Sequence, residues 1–409
     1  MLTTDRNDDI MQLAQLVSIR PDFACLFDSV DTEPKKETCE KSQKTKKEVL
    51  LLMKKLVALL LSVMMCFACV SALADTYVSW YTYGDVYLSS VRSEMEADFA
   101  KLNLTINGSD ANGNQQVQSD FISTALMNND CEAIVVNLVE SGAISTAQTI
   151  MNQIQAAGIP TVWFNRPVST NNEEAANLFL NNPASAFVGT NFEDAGVMQG
   201  ELIGQYLVEH YNDIDLNGDG KISYIMFKGD EANQEAIART ALAVEYANKA
   251  LVAAGKPEIE FYDASNANKY LVDPNGSWSN VFSSEQMQTV LSMYNEGNGN
   301  MVELVICNND DMAYGAVMAL QNAGYNHGEG TTAIPVFGVD ATDVAKDLIN
   351  NGYMVGTIKQ DNVGMADAVA TITANLIAGK ENKFEGLNEN YVIVDNWFVQ
   401  IPYAVYTGE

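Results

Sequence analysis

The most specific pattern in this sequence is a run of oxygen-bearing side chains at alternating positions. Asp215, Asn217 and Asp219 supply these oxygens, and Gly220 follows with the backbone freedom that a sharp turn requires. This is the first part of an EF-hand calcium loop, in which the carbonyl group of the next residue, here Lys221, also points inward. Carboxylate, amide and carbonyl oxygens are the ligands that Ca²⁺ prefers, so the segment predicts a calcium site.

The loop lacks the bidentate glutamate that closes a full EF-hand. The twelfth position holds Met226, which stands in an apolar segment from Tyr224 to Phe227. A calcium loop that runs into a strand must take its last carboxylate from another part of the chain. The same Asp and Gly residues would also suit a calcium-free Asx turn, and both interpretations fit the pattern.

The elements that must position these groups can be predicted from periodicity. From Asp75 onward, short β-branched segments alternate with amphipathic helical stretches, which predicts an α/β fold with parallel sheets built from βαβ units. Asp or Asn follows several predicted strands, as at Asp85, Asn165, Asn309 and Asp340. Ligands of such sheets bind beyond the carboxyl ends of the strands, so these residues indicate a polar cleft, although each one alone would also suit a helix cap. The predicted strands are 77–80, 133–139, 161–165, 223–228, 258–262, 303–307, 335–339 and 354–358.

Composition and charge narrow the class of protein. The chain has 409 residues, enough for two domains, and a net charge of −30. Residues 1–74 balance acidic and basic side chains, so the negative excess lies beyond them and disfavours binding to nucleic acid. The 2 histidines leave little material for a zinc site or a His-based triad, and no nucleotide-binding glycine motif is present. Beyond residue 74 the cysteines are Cys131 and Cys307, which we expect to be core thiols without a disulfide.

The segment 53–74 has the features of a secretory signal peptide. Met53-Lys54-Lys55 is charged, an apolar run follows to Val70, and Ala72-Leu73-Ala74 is an A-x-A cleavage site. The apolar run is shorter than the roughly 20 residues of a spanning helix. We therefore expect an exported protein, periplasmic or associated with the cell surface, that is cleaved after Ala74, with lipidation at Cys69 as the alternative. Residues 1–52 are interpreted as an extension from a start codon assigned too far upstream.

From about residue 75, the chain resembles the periplasmic glucose/galactose-binding proteins of bacterial ABC transporters, which are type I periplasmic binding proteins of the ribose/galactose-binding superfamily. The half-loop at 215–222 makes this resemblance specific, and the other matching segments include Val188-Gly189-Thr190, Ala238-Arg239-Thr240, Asn308-Asn309-Asp310 and 334–341. The resemblance implies two Rossmann-like parallel-sheet lobes joined by a hinge of three chain crossings. Lobe one would comprise 75–189 and 362–395 and lobe two 190–361 and 396–409, with crossings near Gly189-Thr190, Gln360-Asp361 and Asp395-Asn396.

The resemblance also implies a structural calcium ion in lobe two. Glu303, at the start of a predicted strand, would supply the carboxylate that the loop lacks. The ninth loop position is a glutamine in the family and is Ser223 here, which is a shorter and weaker ligand. The implied ligands are Asp215, Asn217, Asp219, the carbonyl group of Lys221, Ser223 and Glu303.

The implied ligand of the cleft is a monosaccharide, with galactose or glucose favoured. A pyranose has an apolar C–H face and a rim of hydroxyl groups, so it requires flat aromatic surfaces and a ring of charged or amide groups. The aromatic pair would be Tyr87 and Trp278. The polar ring would be Asp85, Asn165, Asn233, Glu235, Arg239, Asn309, Asp340 and Gln360. Three of these depart from the family pattern: Asn233 replaces a histidine, and Glu235 and Gln360 are each one methylene longer than the family residue.

These features predict a solute-binding protein without catalytic activity. By resemblance it would be a monomer that delivers its sugar to an ABC permease and also presents it to a chemoreceptor. The alternatives are a binding protein for another sugar of the same superfamily and, from the carboxylates Asp85 and Asp340, an exported glycoside hydrolase. A transcriptional regulator with the same two-lobed fold would need a basic helix-turn-helix where this chain has an export signal.

Overall fold

The computed structural model describes residues 74–408. The predicted upstream extension, the predicted signal peptide except for its last residue, and Cys69 all lie outside these residues. The described residues belong to one compact unit. Among their helices, none has both the length and the apolar character needed to cross a membrane.

The first lobe is formed around a seven-stranded sheet. Its strands pair in parallel except for one antiparallel pair at an edge, the arrangement that βαβ units produce. The central strands are almost entirely buried runs of Val, Ile and aromatic residues, because helices cover both faces of the sheet. In spatial order the strands are β12 (Val392–Val394), β13 (Phe398–Gln400), β5 (Ser185–Gly189), β4 (Thr161–Phe164), β3 (Cys131–Val136), β1 (Ala74–Trp80) and β2 (Leu104–Asp110). The helices of this lobe are α1 (Val86–Lys101), α2 (Gln115–Ala125), α3 (Ile144–Ala156), α4 (Asn172–Leu180) and α10 (Asn362–Ile377).

The second lobe repeats this architecture around its own sheet. All pairs are parallel except the antiparallel pair that β14 forms at the edge. In spatial order the strands are β14 (Ala404–Tyr406), β11 (Gly356–Lys359), β10 (Val336–Asp340), β9 (Leu304–Cys307), β6 (Ser223–Lys228) and β7 (Glu260–Phe261), while β8 (Leu271–Val272) pairs with the end of β6. The helices are α5 (Phe192–Ile214), α6 (Gln234–Ala253), α7 (Asn280–Met293), α8 (Asp310–Asn322) and α9 (Asp343–Asn350), with a short 3₁₀ turn at Glu296–Asn298.

The chain passes between the two sheets at three places. The first passage joins β5 to α5, and the second joins β11 to α10. The predicted third crossing near Asp395 and Asn396 is wrong. These two residues have φ values of 47° and 59° and lie in the three-residue turn, Asp395–Trp397, of the hairpin β12–β13, and β13 pairs with β5 in the first sheet. The third crossing therefore falls between Gln400 and Ala404, and residues 396–400 belong to lobe one.

The two cysteines of the described residues lie in the cores of the lobes. Cys131 begins β3 and Cys307 ends β9, and both are buried and free. This confirms that they are core thiols. Burial raises the pKa of both thiols, to about 11 for Cys131, so neither is activated as a nucleophile.

Candidate functional site

A cavity between the two lobes collects all the residues that the resemblance assigns to sugar binding. The carboxyl ends of strands supply four of them, because Asn165 follows β4, Asn309 follows β9, Asp340 ends β10 and Gln360 follows β11. Parallel strands bring these ends to one edge of each sheet, and the two edges face each other here. The lining residues are Asp85, Tyr87, Asn165, Arg166, Asn233, Glu235, Arg239, Trp278, Asn309, Asp340 and Gln360.

Each lobe contributes one aromatic ring to the cavity. Tyr87 lies in the first turn of α1, and Trp278 precedes α7 in a loop of the second lobe. Both side chains are about 6% exposed. The backbone of Trp278 is left-handed, with φ of 57°. Its ring packs on Gly229, where a Cβ atom would lie 2.1 Å from Trp278 Cδ2. Only glycine therefore leaves room for the indole ring in this position.

Asp85 has a structural role as well as a place in the lining. One carboxylate oxygen accepts from the backbone N–H of Leu88 at 2.8 Å and so caps α1. The other accepts from the hydroxyl of Tyr81 at 2.8 Å. Each oxygen keeps a second lone pair, so capping and ligand binding are compatible at this residue.

Glu235 and Arg239 form a buried ion pair one turn apart on α6. Arg239 Nη2 lies 3.2 Å from Glu235 Oε2. Arg239 is 2% exposed and Glu235 is 6% exposed. Arg239 Nη1 donates to the carbonyl group of Asn308 at 2.9 Å, and Nη2 donates to Gln360 Oε1 at 2.9 Å. The guanidinium lies 5.7 Å from the ring of Trp278. These contacts fix a fork of donors at the cavity wall.

Asp340 is another buried carboxylate of the lining. Burial raises its pKa well above the usual range, Arg239 opposes that shift, and Asp310, Asp85 and Glu235 add to it. The backbone is left-handed at Asp340, with φ of 124°, a conformation that side chains rarely adopt. Burial also raises the pKa of the neighbouring Asp310 to about 7. The hydroxyl of Thr357, which donates to Asp310 at 2.6 Å, opposes this rise.

The two lobes also make direct polar contacts around the cavity. Asn233 caps α6 through its Oδ1 atom, and its Nδ2 atom donates to Ser141 Oγ of the first lobe at 3.5 Å. Arg166 of the first lobe lies 3.5 Å from a carboxylate oxygen of Asp230 in the second. Arg166 was missed by sequence reasoning. It follows β4 directly after Asn165, so its place at a strand end was the available signal.

Three buried polar atoms of the lining have no hydrogen-bond partner among the described residues. They are Tyr87 Oη, Arg239 Nε and Gln360 Nε2. All three can donate, and a buried donor without an acceptor is costly. The cavity is therefore lined by unpaired donors and two aromatic rings, with carboxylates at Asp85, Glu235 and Asp340 as acceptors. This arrangement suits a small ligand with several hydroxyl groups.

The oxygen-rich loop lies away from this cavity and contacts Glu303. Asp215 accepts from the backbone N–H groups of Asp219 and Gly220 at 3.1 and 2.9 Å. The Glu303 carboxylate is 1% exposed and accepts from the backbone of Leu216 at 2.8 Å, and also from Asn217 and Ser223. Burial raises the pKa of Glu303, and the three backbone N–H groups oppose this shift. The structure thus brings the predicted distant carboxylate to the loop.

The fit of this loop to a calcium ion is partial in the described geometry. Ser223 Oγ donates to the carbonyl group of Met301, so this hydroxyl is directed away from the role of a free ligand. Within residues 74–408, no group of three or more Asp, Glu, His or Cys side chains is arranged to hold a metal ion. The carboxylates of Asp215 and Glu303 instead accept backbone N–H groups, as in the Asx-turn interpretation. Both carboxylates nevertheless contact the same loop, and carboxylate oxygens are ligands of the kind that Ca²⁺ takes.

Comparisons with known proteins and structures agree on one family. Residues 76–381 match the model of the periplasmic binding protein domain. The chain is 30% identical over 306 residues to the D-galactose/methyl-galactoside binding periplasmic protein MglB of Haemophilus influenzae, covering 74% of this chain and 81% of that protein. Its fold is similar to that of an ABC transporter solute-binding protein from Clostridium phytofermentans with bound β-D-glucose, with a TM-score of 0.61 at 17% identity, covering 81% of this chain and 94% of that one. A solute-binding protein from Bacillus halodurans with bound myo-inositol gives a TM-score of 0.59 at 21% identity, covering 82% and 95%.

Proposed function

The chain belongs to the periplasmic binding protein family, and from this premise we propose that it captures a monosaccharide between its two lobes and delivers it to an ABC permease. The family is one of substrate-binding proteins, not enzymes, so the carboxylates of the cleft are assigned to binding. The hydrolase interpretation of Asp85 and Asp340 is therefore set aside.

The observation that carries this proposal is the set of unpaired donors in the cavity. Tyr87 Oη, Arg239 Nε and Gln360 Nε2 are buried without acceptors, and the rings of Tyr87 and Trp278 line the same space. A pyranose supplies hydroxyl oxygens to the donors and C–H faces to the rings, so both kinds of surface are satisfied by one ligand. A purely apolar ligand would leave the donors unpaired and would bind weakly.

Galactose or glucose is the ligand that we favour. The relative with 30% identity is named for galactose and methyl-galactoside, and the cleft keeps the carboxylate and amide types that the family pattern requires. Asn233, Glu235 and Gln360 depart from that pattern and all belong to the second lobe or the hinge beside it. Another sugar of the superfamily is the alternative, because these departures adjust the hydrogen-bonding reach around the ligand.

Isothermal titration calorimetry of the Asp75–Glu409 fragment with a panel of monosaccharides and polyols tests this proposal. We expect micromolar or tighter binding of galactose or glucose, which corresponds to about 8 kcal/mol. Trp278→Ala should abolish the signal, since one face of the sugar loses its platform. A wild-type fragment that folds but binds no member of the panel would overturn the proposal, and unchanged affinity in Trp278→Ala would remove Trp278 from the site.

We also propose that the half-loop binds a structural calcium ion. Asp215, Asn217 and Asp219 are mutually close, and Glu303 supports the same loop through its backbone. Ser223, with its hydroxyl on Met301, would leave the ninth position to water. A bound ion would supply charge neutralisation at this buried carboxylate and would stabilise the fold by linkage.

The same proposal extends to location and partners. An exported protein released by cleavage after Ala74 would meet a permease, and also a chemoreceptor, as a monomer outside the cytoplasmic membrane. The strongly negative surface agrees with the absence of a nucleic-acid partner. N-terminal sequencing of the protein purified from the envelope fraction should begin at Asp75, and a mature protein that begins at Cys69 would favour lipidation.

A further inference from the structure

Each of the three passages between the lobes places one hydrogen-bonding side chain on the Glu235–Arg239 pair. Thr190 lies on the first passage, Gln360 on the second and Tyr403 on the third. All three side chains are buried. Residues from three segments that are remote in sequence therefore meet at one ion pair, which itself lines the ligand cavity.

The contacts form a closed circuit. Arg239 Nη2 donates to Tyr403 Oη at 3.1 Å, and Tyr403 Oη lies 2.9 Å from Thr190 Oγ1. Thr190 Oγ1 donates to Glu235 Oε1 at 3.0 Å, and Glu235 Oε2 returns to Arg239 through the ion pair. Gln360 Oε1 shares the same Arg239 nitrogen. Because the two N–H groups of Arg239 Nη2 are shared among three acceptors, the orientation of the guanidinium depends on the positions of Glu235, Gln360 and Tyr403.

Two members of this circuit lie outside the cavity lining. Thr190 and Tyr403 contact Glu235 and Arg239 but do not border the cavity where the ligand would lie. Their positions depend on the hinge, because the chain changes lobes at these residues. A rotation of one lobe against the other changes the backbone torsions of these passages, which carry Thr190 and Tyr403.

We propose that Thr190 and Tyr403 are positioning residues that couple the orientation of Glu235 and Arg239 to the hinge. This inference rests on the proposed function, in which Arg239 presents its donors to the sugar. In the arrangement described here the circuit is complete, and Arg239, whose Nε atom has no protein partner, lines the cavity. When the hinge opens, the circuit loses members and the pair loses its fixed orientation, so affinity for ligand and closure of the lobes rise and fall together.

Tyr403→Phe tests the inference, because it removes the hydroxyl and keeps the ring. Titration calorimetry should show affinity about tenfold or more weaker for every sugar that the wild type binds, with the order of preference unchanged. Small-angle scattering without ligand should give a larger radius of gyration than wild type. Tyr77→Phe is the matched control, since its hydroxyl contacts Asp130 and Asn128 in lobe one, far from the hinge; it should change neither measurement.

A double-mutant cycle of Thr190→Val with Tyr403→Phe measures the coupling directly. The two hydroxyls contact each other, so we expect the losses of affinity in the double variant to be smaller than the product of the single losses. A Tyr403→Phe variant with affinity within twofold of wild type and an unchanged radius of gyration would overturn the inference. So would an altered order of sugar preference, which indicates direct contact with the ligand. If the wild type binds no sugar, the proposed function fails, and the scattering comparison still decides the role of Tyr403.

Discussion

Gly229→Ala is the sharpest test of the position of the tryptophan platform. A Cβ atom at this residue would lie 2.1 Å from Cδ2 and 2.2 Å from Cε3 of Trp278. Carbon atoms in contact are normally about 3.5–4.0 Å apart, so the indole ring must move by about 1.5 Å or more, or rotate away. The backbone of Gly229 itself is compatible with alanine, because no left-handed φ occurs there. The added methyl group therefore acts through the ring alone.

The expected loss follows from the role of the ring. Truncation of a buried aromatic anchor commonly costs about 2 kcal/mol or more of binding free energy, so the affinity for sugar should fall about thirtyfold or more. Overpacking of this kind also costs about 1–3 kcal/mol of folding stability, which a thermal scan detects as a lower Tm. Titration calorimetry on the folded variant, checked by circular dichroism, measures the first quantity.

Gly84→Ala is the matched control for this substitution. Its Cβ atom would lie 3.5 Å from Thr82 Oγ1, an ordinary contact, and the residue is next to Asp85 of the same cleft. We expect nearly unchanged affinity. The double variant Gly229→Ala with Trp278→Ala should have the same Tm as Trp278→Ala alone, since the clashing partner is gone. Wild-type affinity in Gly229→Ala would refute the placement of the ring against Gly229.

Three further predictions concern the loop, a buried acid and the guanidinium. Calcium should raise the Tm of the wild type, by an amount equivalent to about 2.7 kcal/mol at a hundredfold excess over Kd, but it should not raise the Tm of Glu303→Gln. The control is Glu245→Gln, a substitution at an exposed residue. An equal calcium response in both variants would exclude Glu303 as a ligand. Burial raises the pKa of Asp310 in the folded protein from 3.8 to about 7, so its contribution to stability is present below pH 4 and is lost as the pH rises towards 7. Asp310→Asn should therefore flatten the fall of Tm over this range. Parallel plots of Tm against pH for the variant and the wild type would contradict this prediction. Arg239→Gln should weaken sugar binding about tenfold or more by calorimetry, whereas Arg92→Gln, whose side chain lies over the ring of Tyr83, should leave it unchanged.

Much of the fold could be predicted from the sequence because its strands are strongly patterned. The segments around β3, β4, β6 and β9 are short apolar runs between amphipathic helices, and each was predicted within a few residues. The strand β2 (Leu104–Asp110) was missed, because its sequence LTINGSD is polar and half-exposed at the sheet edge. The hairpin β12–β13 was also missed, since its exposed Val and Ile residues follow a polar loop and its Asp395-Asn396 turn was interpreted as a crossing.

The residues of the candidate site were predictable where they stand at the carboxyl end of a predicted strand. Asn309 and Asp340 follow buried strands, so their place at the cleft follows from sheet geometry. Thr190 and Tyr403 were not predictable in this way. Their importance depends on the angle at which the chain leaves one sheet and enters the other, and a local pattern carries no information about that angle. Trp278 required the resemblance, because its left-handed loop has no periodic signal.

The side chains of Glu235 and Gln360 both reach Arg239 beside the hinge. The resemblance implies that Glu235 and Gln360 are each one methylene group longer than the family residue. In the structure the Oε2 atom of Glu235 and the Oε1 atom of Gln360 both accept from the same nitrogen of Arg239, at 3.2 and 2.9 Å. The additional length therefore brings both acceptors to the guanidinium, and it leaves Gln360 Nε2 as a free donor in the cavity. The other carboxylate oxygen of Glu235, Oε1, accepts from Thr190 Oγ1 at 3.0 Å, so the one side chain contacts both Arg239 and the first passage. Both side chains thus act on Arg239 and on the hinge, which gives them a role besides direct contact with a ligand.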